Sequence, residues 1–322
     1  MKVVTTRKLP DTVEARLSEL FDVELHHDAL PMERETLIDA MKSATVLVAT
    51  LGDMIGASEL EAAGAQLKLI TNYGSGYDHI DVDAARSRGI LVTNTPGATA
   101  DDTADMTLAL ILATMRRFKE GSAMMQSGDW EGWSPSAFLG QGLSGKSLGI
   151  IGLGRVGRAV ATRARAFGMD VHYHNRNQLH AETEAEFAAT YWPNLDEILP
   201  EMDVVSLNCP YTPGTYHMIN ADRIARMRST AVVVNTSRGE LLDEAALANA
   251  LDAGKLAGAG LDVFEKDPDT ERRLRNMPNV MMLPHMGSAT LAARTAMGDH
   301  VIRNIKVFED GHTPPNVILP GD

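Results

Sequence analysis

Near the middle of the chain, Gly152-Leu153-Gly154-Arg155-Val156-Gly157 stands between an apolar run, Leu148-Gly149-Ile150-Ile151, and an amphipathic stretch from Ala159 to Phe167. Few features limit a fold as tightly. The first glycine permits a tight strand-to-helix turn, the second lets backbone approach a pyrophosphate, and the third lets the helix pack closely on the strand. The helix N-terminus then offers unpaired N–H groups and a positive dipole end to phosphates. Glycine-rich turns are common, but a strand before and a helix after give this one the context of a dinucleotide site.

The flanking sequence repeats the same alternation. Val3-Val4-Thr5, Val23-Glu24-Leu25, Val46-Leu47-Val48-Ala49, Leu67-Lys68-Leu69-Ile70 and Ile90-Leu91-Val92 read as strands, with helical patterns around 12–20, 33–42 and 57–63. A second series begins at Ser147, with strands at 148–151, 171–174, 204–207, 231–234, 258–261 and 280–283. Alternating strand and helix implies parallel sheets covered on both faces. Thr99 to Gln126 reads as one long helix whose first turns hold Asp101, Asp102 and Asp105, where the dipole favours acids. Gly128 to Gly145, rich in Gly, Ser, Pro and Trp, reads as a loop. A last helix at about 289–309 is long enough to cross back onto the first unit. The expectation is an α/β protein of two Rossmann-like or flavodoxin-like parallel-sheet domains, with an active-site cleft between them. Residues 1–99 plus 287–322 form one domain and 100–286 the dinucleotide-binding one.

Composition removes several classes. The net charge of −13 argues against a broad phosphate-backbone interface, so no nucleic-acid partner is expected. The most apolar stretch, Met106 to Met115, is too short to span a bilayer. The opening residues, Met1 to Lys8, meet charge too early for a signal peptide, and the single cysteine, Cys209, fits a reducing compartment. A cytoplasmic location is the default expectation. The His172-x-His174 pair alternates along a strand without a third nearby ligand, so no metal site is expected.

Sites for NAD usually carry an acid about 20 residues after the glycines, where it holds the ribose 2′-hydroxyl. Here Asn175 stands there, followed by Arg176. No carboxylate repels a 2′-phosphate, and a guanidinium is available to pair with it. The expected cofactor is NADP(H), with NAD(H) possible. The other reading has Arg176 stacking on adenine or facing solvent.

Two residues far downstream suggest chemistry. Arg238 follows a buried strand, in a turn at a sheet's carboxyl edge, where it can hold a carboxylate bidentately and polarise a carbonyl. A structural ion pair is the alternative. His285 lies between a strand and a helix, and histidine is a natural proton donor to a developing alkoxide.

These segments carry a resemblance. Tyr73-Gly74-Ser75-Gly76-Tyr77-Asp78, Asn94-Thr95-Pro96-Gly97, the glycine fingerprint, Asn235-Thr236-Ser237-Arg238-Gly239, Gly260-Leu261-Asp262-Val263-Phe264 and Pro284-His285-Met286-Gly287-Ser288 follow one another as in the D-isomer-specific 2-hydroxyacid dehydrogenases. The chain is most similar to their glyoxylate and hydroxypyruvate reductase group, over essentially its whole length.

The resemblance implies roles. The first domain would be the substrate (catalytic) domain. Arg238 would bind the 2-oxo acid, opposite backbone amides of Ser75 and Gly76, with His285 as proton donor. The family places a glutamate before the proline that follows Leu-Asp-Val-Phe; here that position is Asp267, one methylene shorter, and Glu265 is a possible substitute off the motif. Asp262 would accept from the nicotinamide carboxamide, or else cap a turn. Thr103, Gly152, Gly154, Arg155, Val156, Gly157, Asn175, Arg176, Cys209, Pro210, Thr215, Thr236, Asp262, His285 and Gly287 would line the cofactor. Trp130 and Trp133 lie in a loop that crosses a dimer contact in this group, so Trp133 would approach the partner's substrate and the chain would be a homodimer. The alternative buries Trp133 against its own domain.

The expected activity is NADPH-dependent reduction of glyoxylate or hydroxypyruvate to the hydroxy acid. Within the enzyme class the rival is an NAD-dependent dehydrogenase of a bulkier D-2-hydroxy acid; formate dehydrogenase fits less well. From another class the rival is a nucleotide-sensing corepressor-like scaffold, against which the chain's end at Asp322, without a long tail, is the argument.

Overall fold

The computed structural model describes residues 1–266 and 268–319. The chain runs β1 (Lys2–Thr5), α1 (Asp11–Leu20), β2 (Asp22–Glu24), α2 (Arg34–Ser43), β3 (Val46–Thr50), α3 (Ala57–Ala62), β4 (Leu69–Tyr73), α4 (Val82–Ser87), β5 (Leu91–Thr93), α5 (Ala100–Met115) and α6 (Phe118–Ser127). It continues with β6 (Ser147–Ile151), α7 (Arg155–Ala166), β7 (Asp170–His174), α8 (Ala181–Phe187), β8 (Ala189–Tyr191), α9 (Leu195–Ile198), β9 (Val204–Leu207), α10 (Ala221–Ile224) and β10 (Val232–Asn235). The last elements are α11 (Glu244–Asp252), β11 (Gly258–Leu261), α12 (Arg272–Asn276), β12 (Val280–Met282) and α13 (Leu291–Glu309).

Two compact units result, one of residues 1–99 with 289–322, the other of residues 100–288. In the first, five parallel strands lie in the order β2-β1-β3-β4-β5. Strands β3 and β4 are buried at every residue, as expected for strands covered on both faces. One apolar layer joins Leu37, Met41, Leu47, Leu60 and Ile70; the other joins Val13, Leu17, Val48, Val301 and Ile305, which brings α13 onto this unit. The Tyr73 hydroxyl donates to the Arg294 carbonyl and ties α13 to the end of β4.

The second unit is a seven-stranded parallel sheet in the order β12-β11-β10-β9-β6-β7-β8. Chain order reverses between β6 and β9, and a doubly wound sheet binds its ligand at the carboxyl ends beside such a switch. The fingerprint follows β6 and Cys209 follows β9, so both stand at that point.

Two local expectations need correction. The stretch 99–126 is not one helix: it breaks between α5 and α6, where Arg117 takes the left-handed φ of 58°. The last carbonyl of α5, on Met115, accepts the Gln141 N–H at 2.9 Å, and the Arg117 guanidinium sits 5.8 Å over the Phe138 ring. Tertiary contacts thus end α5 at a point where no glycine or proline stands. The acids on α5 also have a specific partner: Arg163 of α7 pairs with Asp101 at 3.1 Å and with Asp105. The second correction is β8, a three-residue edge strand absent from the sequence reading.

Tyr173 lies on β7, the strand that leads into Asn175 and Arg176. It is fully buried on β7, its hydroxyl donates to Glu184 at 2.6 Å and accepts the Leu179 N–H at 3.0 Å. Burial, with the Glu184 bond, pushes its phenol up to about 12. Tyr173→Phe leaves the Leu179 amide without its acceptor, and chemical denaturation is expected to show a loss of about 1–2 kcal/mol.

Candidate active site

The three glycines of the fingerprint meet three different demands. Gly152 has φ of 103°, and a Cβ there would fall 2.6 Å from the Cys209 amide nitrogen. At Gly157 a Cβ would fall 2.3 Å from the Gly152 carbonyl oxygen, so any side chain would push α7 off the turn. At Gly154 a Cβ would meet no protein atom within 4 Å. Gly154 is also the N-cap of α7 and supplies no side-chain acceptor to the first turn. Open space above uncapped N–H groups is what a pyrophosphate requires, so these residues fit a dinucleotide. Arg155 is exposed at the first position of α7, and Val156 is half-buried against the core.

Asn175 follows β7, and its Oδ1 accepts the Leu153 N–H at 2.8 Å. This bond holds the glycine turn to the next strand end. Arg176 is exposed and has no hydrogen-bond or ion-pair partner among the described residues. Cys209 carries its backbone against Gly152, and burial pushes its thiol up to about 11. The Ser237 hydroxyl donates to the Cys209 carbonyl at 2.6 Å, and Thr215 closes the following loop by donating to the Pro210 carbonyl at 3.1 Å.

Arg238, Asp262 and His285 leave the carboxyl ends of β10, β11 and β12, three adjacent strands. Asn235 shapes the arginine turn: its Nδ2 donates to the Arg238 carbonyl at 2.8 Å and its Oδ1 accepts the Ser237 N–H at 3.1 Å. Thr236 is joined to Thr107 by a hydroxyl pair at 2.8 Å, and Thr107 donates to the Thr103 carbonyl at 2.7 Å. The turn is thereby fastened to α5.

Asp262 has a part that the spacing did not reveal. It is buried, and its two oxygens accept the Met286 and Gly287 N–H groups, each at 2.7 Å. Its carbonyl accepts the His285 N–H at 2.8 Å. His285 sits at φ of 51°, a left-handed conformation that costs a residue with a Cβ about 1–2 kcal/mol. Three bonds to one aspartate hold it there. Gly287 fits because the loop lies against the Asp262 carboxylate and the Thr103 side chain.

Asp267 lies outside the described residues. Glu265, weighed as its substitute, is engaged elsewhere: its Oε1 accepts the Tyr216 hydroxyl at 2.8 Å and lies 3.3 Å from His217 Nε2. In the first unit, the carbonyls of the Gly74-Ser75-Gly76 turn are all taken. Asn72 Nδ2 donates to Gly74 and Gly76 at 3.0 and 2.7 Å, Asn94 Nδ2 donates to Ser75 at 2.8 Å, and the Thr95 N–H donates to Gly74 at 3.0 Å. The Ser75 hydroxyl donates to the Thr95 carbonyl at 2.8 Å. The Ser75 and Gly76 amides have no acceptor among the described residues, the condition for an anion cradle. Asn72, Asn94, Asn235 and the clamp by Asp262 escaped the sequence reading; polar residues closing apolar strands were the available signal.

His172 and His174 both turn to Trp192: Trp192 Nε1 donates to His172 Nδ1 at 3.1 Å, and His174 Nδ1 lies 2.8 Å from the Trp192 carbonyl. No group of three His, Cys, Asp or Glu among the described residues is placed to hold a metal ion, and no described helix is long and apolar enough to cross a membrane. Trp130 and Trp133 are exposed at 53% and 84%, so neither is buried in its own unit.

Asp262→Asn replaces one acceptor oxygen by a donor facing a backbone N–H. It is expected to cost about 2 kcal/mol in chemical denaturation, with the change in protection concentrated at Met286 and Gly287 in amide exchange.

The chain is similar to known proteins in both sequence and fold. Residues 108–287 match the family model described as D-isomer specific 2-hydroxyacid dehydrogenase, NAD binding domain. A glyoxylate reductase of Thermococcus onnurineus (strain NA1) is 42% identical over 321 residues, 98% of this chain and 95% of its own. The crystal structure of a glyoxylate reductase from Paecilomyes thermophila has a TM-score of 0.88 at 34% identity, covering 100% of this chain and 99% of that one. An NADPH-dependent glyoxylate/hydroxypyruvate reductase from Sinorhizobium meliloti, in complex with NADP and malonate, has a TM-score of 0.87 at 32% identity, covering 98% and 96%. A nicotinamide-binding sheet, a turn that presents Arg238 and a clamped loop that presents His285 thus occur in a chain that belongs to the D-isomer specific 2-hydroxyacid dehydrogenases.

Proposed function

We propose that this enzyme reduces a small 2-oxo acid, glyoxylate or hydroxypyruvate, with NADPH preferred over NADH. The observation that carries the reading is the placement of Arg238 and His285 on strand ends of one sheet that also bears the glycine turn. When bound, the cofactor supplies the hydride. Gly152, Gly154, Gly157 and the start of α7 hold its pyrophosphate, with Thr215, Thr236, Asp262 and Gly287 along its length. Arg238 holds the substrate carboxylate and polarises the adjacent carbonyl, and in the first unit the Ser75 and Gly76 amides are available to an anion. His285 holds the proton destined for the carbonyl oxygen, and Asp267 orients its ring. The uncharged Asn175 and the unpartnered, exposed Arg176 support a 2′-phosphate on the ribose.

The test is a steady-state panel of glyoxylate, hydroxypyruvate and longer 2-oxo acids with both cofactors, repeated on Arg176→Asp. The two short acids should give the highest kcat/KM. The substitution should lower kcat/KM for NADPH relative to NADH about tenfold to hundredfold, the worth of one lost charged pair. An unchanged ratio would refute the phosphate assignment; NADPH binding without any turnover would refute the reductase and favour a scaffold.

We also propose a homodimer through the loop of Trp130 and Trp133. Exposed Trp130, Trp133 and Leu139 on one loop are the support, since large apolar side chains gather where partners cover them. Sedimentation of the wild type should give a dimer, and Trp133→Ser should shift the equilibrium toward monomer.

A further inference from the structure

Glu244 opens α11, six residues beyond Arg238, and its side chain is buried. Helix capping is not its task, because Asp243 performs it, accepting the Ala246 N–H at 2.9 Å. Glu244 turns instead to the segment after β11. Its Oε1 accepts the Glu265 N–H at 2.6 Å and its Oε2 accepts the Glu271 N–H at 3.1 Å. Asp267 falls between those two amides in sequence.

The same segment is pressed against the arginine turn. A Cβ on Gly239 would lie 1.8 Å from the Phe264 carbonyl carbon and 2.2 Å from the Glu265 nitrogen, so the two backbones touch. The Glu265 side chain leads away, to Tyr216 and His217. Burying a carboxylate is costly unless its charge is met, and here two N–H groups and the N-terminal end of α11 meet it. One buried acid therefore fastens both ends of the segment to the helix that follows Arg238.

We propose that Glu244 is a positioning residue for the reaction, fixing both ends of the segment whose sequence carries the acid assigned to His285. The proposal rests on the reading in which Asp267 orients His285.

The experiment uses the full-length enzyme with NADPH and its best 2-oxo acid. Glu244→Gln keeps the volume but replaces one acceptor oxygen by an NH2 group, so one of the two amides faces a donor whichever way the side chain turns. The expected result is a kcat lower by about tenfold to hundredfold, from misplacement of a reacting group, with KM and NADPH affinity unchanged. Amide exchange should quicken at Glu265 or Glu271. On an Asp267→Asn background the same change should lower kcat no further, because both act along one chain of contacts. Wild-type kcat in the Gln variant, or full multiplication of the two effects, overturns the proposal. If the Gln variant fails to fold, Glu244→Asp keeps both acceptors one methylene short and should show the same kcat-only loss; wild-type kcat in that variant overturns it. If the wild type itself turns over no 2-oxo acid, the reductase reading fails separately, and unchanged exchange at Glu265 and Glu271 still overturns the tether.

Discussion

A parallel strand that ends inside a protein hands its next amides and carbonyls to a region without a ladder to receive them. The carboxyl edges of both sheets meet this demand with buried and half-buried polar side chains. Asn72 and Asn94 take the carbonyls of the Gly74-Ser75-Gly76 turn and leave amides outward; Asn235 takes the Arg238 carbonyl; Asp262 and Glu244 take amides from the loops after β12 and β11. In each case the acceptor or donor sits on one strand or helix end and the turn it holds carries a residue of the proposed site. Rigidity there is a matter of hydrogen-bond geometry rather than apolar packing. It also makes the groups selective about what is lost: removing one such side chain strands a buried amide or carbonyl.

Much of the fold was legible in the sequence, for reasons that differ by residue. Gly152 and Gly157 were readable because backbone approach to within 2.6 and 2.3 Å of a would-be Cβ excludes every other residue type. The strands were readable because both faces of β3, β4, β9 and β10 are covered, which leaves continuous apolar runs. The break at Arg117 was not, since arginine carries no signal for a left-handed turn and the contacts that end α5 come from Gln141 and Phe138. Strand β8 hid because three residues on a sheet edge have too few apolar positions to form a period. The double service of Asp262 was hidden by distance: its amide partners come 24 and 25 residues later, across a strand.

In the proposed reading, Asn175 serves structure and ligand by separate properties. The Asn175 bond to Leu153 uses only a side-chain oxygen. An aspartate would offer the same oxygen on the same backbone and would hold the glycine turn equally well. The turn therefore does not select the amide. What distinguishes the amide is the lack of charge, and no protein group needs that lack: the neighbouring Arg176 is exposed and has no acid among the described residues to compete for it. A carboxylate at 175 would have been free to pair with that guanidinium and to repel an added phosphate. In that reading the geometry of this strand end would suit either nicotinamide cofactor, and charge alone would divide them. This is why a single substitution at 176, rather than a rebuilt loop, is a sufficient probe of the proposed preference.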